Sequence, residues 1–355
     1  MLDVPSPTRL LVTTTDFSTG AVSLVDLGTQ AIERDVAAAT VDSVPAWHDG
    51  LGILVNRYQF DSIARLDPQR AWASAGVVPI ESSCSTTPNP QAIAWGGDGL
   101  AYVTSLDVPE LAVLDLDAPP ASARVGTIDL RAIEDDDGNP DAGLLVACGG
   151  TLWVAIQRLD PSYSYVGPDE LVPIDLASGR VIDLDPARDG AQGIESRGAW
   201  IRQLRSDPTD AEGHRLLALS TGIERIDLAA GTTQWLVPPE AFAAAQLGAP
   251  RQLQSFDVDD EARMAYVAAY DEPPQQVQLY QVALDGGEPA VPTAFADGFD
   301  SVERTLELVG DRLWYGSTRR GAPGLWVFDV AATPPIVVAG PLDTGLPPYS
   351  LVAIP

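Results

Sequence analysis

Residues 101–116 read Ala-Tyr-Val-Thr-Ser-Leu-Asp-Val-Pro-Glu-Leu-Ala-Val-Leu-Asp-Leu, and the order of residue types in them decides the fold. An apolar run ends in Thr104 and Ser105, a turn carries Pro109, and a second run of apolar residues closes on Asp115. Alternation with a period of two is the mark of half-buried β-strands. Outward from this stretch, the second run recurs as AVSLVDL (21–27), DSIARLDP (61–68), LAVLDLD (111–117), ELVPIDL (170–176), GIERIDL (222–228), VQLYQVAL (277–284) and GLWVFDV (324–330). Each copy has a partner strand before it: LLVTTT, GILVNRY, LAYVTSL, LWVAIQR, RLLALST, MAYVAAY and LWYGSTR. Seven copies at a spacing of roughly 40 to 60 residues mark a repeat architecture whose units are small β-sheets.

Further strands follow the copies, as AIERDV, GVVPI, RVGTIDL, GRVIDLDP, TQWLVPP, PAVPTAF and PPIVVAG. A leading strand precedes most repeats, in PQAIAW (90–95), GLLVACG (143–149), GAWIRQL (198–204), RQLQSFDV (251–258) and ERTLELV (303–309). The first repeat has none, because Pro5-Ser6-Pro7 leads straight into LLVTTT. The missing strand stands at the other end, where Pro347-Pro348 introduces Tyr349-Ser350-Leu351-Val352-Ala353-Ile354. A sheet that borrows a strand from the far terminus hides two free edges, which is how a β-propeller closes. The expectation is therefore an all-β, seven-bladed β-propeller of four-stranded antiparallel blades, closed by a C-terminal strand completing the N-terminal blade, as a single domain over 1–355. Its blades fall near 8–43 with 347–355, then 44–80, 88–130, 142–186, 197–238, 249–296 and 301–340. One short helix is expected over 239–248, with Pro239 at its start and Gly248 past its end.

The repeat 101–116, and the first blade LLVTTTDFSTGAVSLVDLGTQAIERDV, resemble the YVTN family of propellers, a group with surface-layer repeats, lactonase-like proteins and bacterial periplasmic propellers. The resemblance spans essentially the whole chain and implies the fold, not an activity.

Composition narrows the chemistry. The chain has 355 residues, no lysine, two histidines and a formal net charge of −29, so Schiff-base lysines, Walker phosphate loops and HExxH zinc helices are excluded. Such a surface repels phosphate backbones, which makes nucleic acid a poor partner. No apolar run approaches the ~18 residues of a membrane span, so no transmembrane segment is expected. Met1-Leu2-Asp3, then Pro5 and Pro7, suit a chain freed from an export signal or lipid anchor, and the expected location is periplasmic or extracellular. Cys84 and Cys148 allow one disulfide; a bridge and two separate thiols stay equally open.

In propellers, ligands sit on the loops running from the last strand of one blade to the first of the next. Alignment on Pro90-Gln91 puts Arg251 and Tyr349 at equivalent positions, with Arg197 and Arg304 close by. Gln91, Arg197, Arg251, Arg304 and Tyr349 are thus the candidate ligand-binding residues, suited to a polar or anionic ligand. The run Glu134-Asp135-Asp136-Asp137-Gly138-Asn139-Pro140-Asp141 alternates carboxylates around a glycine, the oxygen set calcium takes. It resembles the acidic half of thrombospondin-type calcium loops, and Asp135, Asp137, Asn139 and Asp141 are the candidate metal ligands; a solvated acidic turn is the competing reading. His48 and His214 read as turn residues, and Trp95, Trp153, Trp200 and Trp314 as core between blades. Tyr163 and Tyr165, in the insertion 160–170, are the candidates for an exposed aromatic patch.

The functional expectation is a noncatalytic exported scaffold that binds a protein or a small polar ligand through one loop face. The alternative is a calcium-dependent lactonase or related hydrolase, with Asp42, Glu195, Asp300 and Glu303 holding the metal. An electron-transfer subunit is disfavoured by the absence of CxxCH.

Overall fold

The computed structural model describes residues 6–97, 99–133, 137–244, 252–261, 263–271, 276–284, 290–300 and 304–355. Among them, seven antiparallel sheets follow one another along the chain, the architecture of a seven-bladed β-propeller. The residues group into two compact units: 1–56 with 64–75 and 240–355, and 57–63 with 76–239.

The first unit carries blades 1, 6 and 7 and most of blade 2. Blade 1 is closed as the repeat pattern requires. The strand Pro348–Ile354 pairs with Arg9–Thr15, Leu351 opposite Val12 and Ala353 opposite Leu10, and Gly20–Asp26 and Ile32–Ala39 complete the sheet. Alternate residues of the two inner strands feed two different cores. Leu11, Val22, Leu24 and Ile354 pack with Leu54, Leu66 and Trp72, whereas Leu10, Val12, Val25 and Leu351 pack with Trp314, Leu325 and Val327. That is the period-two consequence of a sheet buried on both faces. Aromatic edges tighten blades 6 and 7, with Phe299 centred 5.4 Å from Tyr315 and 5.3 Å from Trp326.

The second unit carries blades 3, 4 and 5. Leu111, Val113 and Ile128 of blade 3 meet Leu152, Val154, Val172 and Ile174 of blade 4 in one core. The opposite face of blade 4, through Trp153, Ala155 and Leu171, meets Leu216, Ala218 and Ile226 of blade 5.

Strand limits depart from the repeat pattern where side chains compete for the backbone. In blade 4 the last strand shrinks from the expected 179–186 to Arg180–Val181. Asp183 turns the chain there: its Oδ1 accepts the N–H groups of Asp185 and Gln192, both at 3.0 Å, and Pro186 removes a donor. A two-residue strand, Ile194–Glu195, pairs with Glu170 and Leu171 instead. In blade 5 the first strand is Gln203–Ser206, not 198–204, because residues 196–201 are tied to buried carboxylates described below. The last strand of blade 6 lies at Thr293–Phe299 rather than 289–295, which brings Phe295 and Phe299 into the core, and the first strand of blade 7 begins at Leu306. The helix covers Pro239–Ala244. Cys84 and Cys148 are free thiols, so the bridge left open by the sequence is not formed. No helix among the described residues is long and apolar enough to cross a membrane.

Candidate functional site

The residues singled out by sequence divide between the units. In the first, Tyr349 is buried and donates its hydroxyl to the Asp42 carboxylate, with Phe17 edge-on at 6.2 Å. The Arg304 carbonyl accepts the Leu351 N–H at 3.2 Å and the Ser350 hydroxyl at 3.4 Å, so its main chain braces the closing strand. The Asp300 backbone carbonyl accepts the Thr318 N–H at 2.8 Å. In the second unit, Gln91 donates through Nε2 to both the carbonyl (3.1 Å) and the Oδ1 (2.8 Å) of Asn89. Arg197 points across its own sheet, with Nε 2.8 Å from the Thr233 carbonyl on the last strand of blade 5. Glu195 is exposed. Arg251, Glu303 and Asp135 lie outside the described residues.

The described part of the acidic loop is engaged by its own backbone. Asp137 Oδ1 accepts the Asn139 N–H at 2.9 Å, and Asn139 Nδ2 donates to the Leu106 carbonyl (2.6 Å) and to Asp141 Oδ1 (3.0 Å). Asp141, buried and in the left-handed region at φ 53°, takes the Leu159 N–H on Oδ2 at 2.7 Å. Among the described residues, no three His, Cys, Asp or Glu side chains are grouped to hold a metal ion.

A different constellation stands on the same loops of the second unit. The hairpin turns after the second strands of blades 2, 3 and 4, together with the segments leading into blades 3 and 4, carry Tyr58, Asp61, Asn89, Asp107, Asp141 and Tyr163. One hydrogen-bonded chain joins most of them. Asn89, at φ 58°, gives its N–H to Asp61 Oδ1 (2.8 Å) and takes the Tyr58 N–H on Oδ1 (3.2 Å). Asp107 is bonded by the Asn89 side chain and by the Tyr163 hydroxyl, the latter at 3.2 Å. Burial raises the Asp107 carboxyl above its ordinary range, with the Asp61 charge adding to it, while the bonds from Tyr163 and Asn89 oppose the rise.

Tyr163 is displayed by a miniature hairpin built from Asp160-Pro161-Ser162-Tyr163-Ser164. Asp160 Oδ1 accepts the Ser162 hydroxyl (2.6 Å) and the N–H groups of Ser162 (2.8 Å) and Ser164 (3.0 Å), which hold its carboxyl below the usual range. The Asp160 carbonyl takes the Tyr163 N–H, and Tyr163 itself sits at φ 60°. Pinned at its base, the loop sends the ring outward at 54% exposure, and Tyr58, Phe60, Val166 and Trp200 are exposed with it. Large exposed aromatic groups on braced loops are where binding faces are found.

Beside this face, two fully buried carboxylates clamp the segment 196–202. Asp169 Oδ2 accepts the Ile201 N–H, and the Asp169 carbonyl takes the Ser196 N–H at 2.9 Å. Glu224 accepts the Ser196 hydroxyl and the Arg197 N–H, the latter at 2.9 Å. Burial pushes Asp169 up to about 7 and Glu224 upward too, and burial next to Asp169 and Glu195 pushes the Tyr165 hydroxyl up to about 12. Gly198 passes so close to Ser220 that a Cβ there would fall 1.9 Å from Oγ. The clamp turns Trp200 out at φ 62°, with the Arg202 guanidinium stacked 4.2 Å from its ring centre. Trp200 is therefore a surface residue, not the core residue expected from its strand-like context, whereas Trp153 and Trp314 are buried as expected. A separate pocket of about 290 Å³ on blade 5 is lined by Arg215, Arg225, Asp227, Thr232, Thr233 and Gln234, with Arg225 held by buried Asp207 at 2.6 Å.

The sequence indicated Tyr163 and Tyr165 from their insertion. It missed Tyr58, Phe60 and Asp61 in one loop, Asp107 in the corresponding loop of the next repeat, and Asn89 before the strand Pro90–Trp95; the shared position of the first four after corresponding strands is the signal that would have gathered them.

No protein-family model matches the chain, and no curated protein matches it. Solved structures do resemble it. A protein from Lactobacillus plantarum superposes with a TM-score of 0.65 at 13% identity, covering 98% of this chain and 100% of the other. A functionally unknown protein from Desulfotomaculum acetoxidans gives 0.63 at 12%, covering 98% of each. A putative 6-phosphogluconolactonase from Bacteroides uniformis gives 0.61 at 11%, covering 99% and 100%. At such identities the likeness is one of fold, and the fold it supports is the seven-bladed β-propeller.

Proposed function

We propose that this chain is a noncatalytic, exported binding scaffold of the YVTN-like kind, and that it engages its partner through the loop face of the second unit. The observation that carries this reading is the set of exposed rings of Tyr58, Phe60, Tyr163 and Trp200, mounted on loops whose backbones are fixed by Asn89, Asp160, Asp169 and Glu224. Rigid aromatic groups contribute contact area with little entropy left to lose on binding, the property expected of interface anchors. The four-carboxylate hydrolase reading lacks such support: the Asp42 carboxylate already accepts the Tyr349 hydroxyl. Calcium at Asp137, Asn139 and Asp141 is a question for titration, since Asn139 Oδ1 is buried with no hydrogen-bond partner among the described residues while Asp137 Oδ1 and Asp141 Oδ2 accept backbone N–H groups.

The test is affinity capture from the periplasmic and secreted fractions of the native host, with wild-type protein against the Tyr58→Ala, Tyr163→Ala and Trp200→Ala triple variant. A partner retained by the wild type and lost by the triple variant is the expected result. Equal capture by both moves the binding face elsewhere. Calcium calorimetry alongside, with Asp141→Ala as comparison, decides whether a metal belongs to the scaffold at all.

A further inference from the structure

The chemistry of the face also says what it would take, given that the loop-face reading holds. Asp107 is partly buried, and among the described residues no arginine pairs with it or with Asp61. Among the described residues its carboxylate is bonded by neutral groups, the Tyr163 hydroxyl and the Asn89 side chain. A half-desolvated carboxylate without a counter-ion favours an arriving cation. Exposed tyrosine rings beside it offer that cation their negative π-faces. The same unit already shows the pairing within itself, in the Arg202 guanidinium over Trp200 at 4.2 Å, and among the described residues neither Tyr58 nor Tyr163 carries such a guanidinium. Asp61 and Asp141 lie within electrostatic reach of this centre, Asp61 of Asp107 and Asp141 of the Tyr163 hydroxyl. Among the described residues none of the chain's 21 arginines pairs with this centre, and the net charge of −29 would draw a cation in over long range.

We propose that the Tyr58–Asn89–Asp107–Tyr163 centre recognises an arginine or lysine side chain of a partner protein, the alkyl stem and charged head lying on the tyrosine rings and the charge meeting the Asp107 carboxylate. Neutral sugars would use the rings and could donate hydroxyls to the carboxylate but would gain nothing from its charge, and anions would be repelled by it.

The experiment uses the full chain and a fluorescently labelled Gly-Ser-Gly-Arg-Gly-Ser-Gly peptide, with a citrulline peptide of the same length as the uncharged twin, read by anisotropy at moderate salt. Tyr163→Ala and Tyr58→Ala each weaken binding about 3- to 10-fold, the range of an exposed to partly desolvated cation–π contact. Asp107→Asn, which keeps shape and loses charge, weakens it about 10-fold. Asp117→Asn, an exposed carboxylate elsewhere in blade 3, leaves it unchanged, and the citrulline peptide binds no variant measurably. Far-UV dichroism and melting of each variant confirm that the fold is retained. The proposal is overturned if Asp117→Asn weakens binding as much as Asp107→Asn, since the peptide then answers only to net charge. Citrulline binding equal to arginine, or no arginine binding, overturns it too. If the arginine peptide fails while the triple variant still loses its captured partner, the cation assignment falls and the loop-face reading stands.

Discussion

Two tyrosine–aspartate bonds, one in each unit, look alike on paper and differ in everything that follows. Tyr349 is 4% exposed, its hydroxyl on Asp42 and its ring against Phe17 and the closing strand; Tyr163 is 54% exposed, its hydroxyl on Asp107 and its ring in solvent. The first bond satisfies a polar tip that burial would otherwise strand. The second orients a ring that stands half in solvent. A tyrosine beside an aspartate is thus no functional signal in itself; what separates a seal from a contact is whether the ring is covered.

The sharpest way to break this contrast is truncation at both positions. Tyr349→Ala should cost about 3–5 kcal/mol, the range for deleting a buried aromatic side chain, and orphan the closing strand's start. Tyr163→Ala should cost less than about 0.5 kcal/mol, as for an exposed position. Urea midpoints of both variants check it; similar losses would mean that Tyr163 is structural after all.

Next in size is a pH effect confined to the clamp under Trp200. Asp169 titrates near 7 in the native chain against an ordinary 3.8, so between those values the native state holds a proton the unfolded state has released. Its contribution is therefore fully present below about pH 4 and is lost as pH rises through 7. At about 1.4 kcal/mol per pKa unit the loss is a few kcal/mol at most, and Glu224 pulls in the same direction. Asp169→Asn should flatten the fall in urea midpoint between pH 4 and 8 and leave the variant the more stable at pH 8. An unchanged slope would show that Asp169 is not the titrating group.

The legibility of the sequence follows the same line between covered and uncovered. Strands that are buried on both faces, such as Arg9–Thr15 and Thr151–Ile156, impose a pattern that survives in every repeat, and the closing strand could be recognised because it repeats Pro90–Trp95. Strand ends fail where an aspartate, Asp183 or Asp169, captures backbone donors, because that capture depends on a fold already formed. Candidate residues fared likewise. Gln91 does belong to the network around Asn89, but Arg197 was drawn to the Thr233 carbonyl, and its sequence position carries no trace of that partner. Asp107 and Tyr58 meet only through Asn89, two loops away from either in the repeat order.

A smaller effect tests the acidic loop by the same criterion. Asp141→Ala would leave the buried Leu159 N–H without an acceptor and take from the Asn139 amide one of its two, costing about 1–3 kcal/mol. Asp137→Ala, at an exposed position where Oδ1 accepts the neighbouring Asn139 N–H, should cost about 0.5 kcal/mol. A calcium-induced rise in melting temperature that both variants abolish would instead join the two residues in one metal site.

The smallest expected effect is the most discriminating one. Tyr163→Phe keeps the ring and removes only the 3.2 Å bond to Asp107, which lies at the surface and is replaced by water at little cost. Stability should move by no more than a few tenths of a kcal/mol, while the Asp107 carboxyl, relieved of a donor that opposes its rise, should titrate higher still. The cost would then appear in the pH dependence of peptide affinity: the ring still stacks, and on acidification the variant should release the arginine peptide at a higher pH than the wild type. Identical release curves would mean that the hydroxyl neither orients the ring nor tunes the carboxylate, and that Tyr163 acts through its face alone.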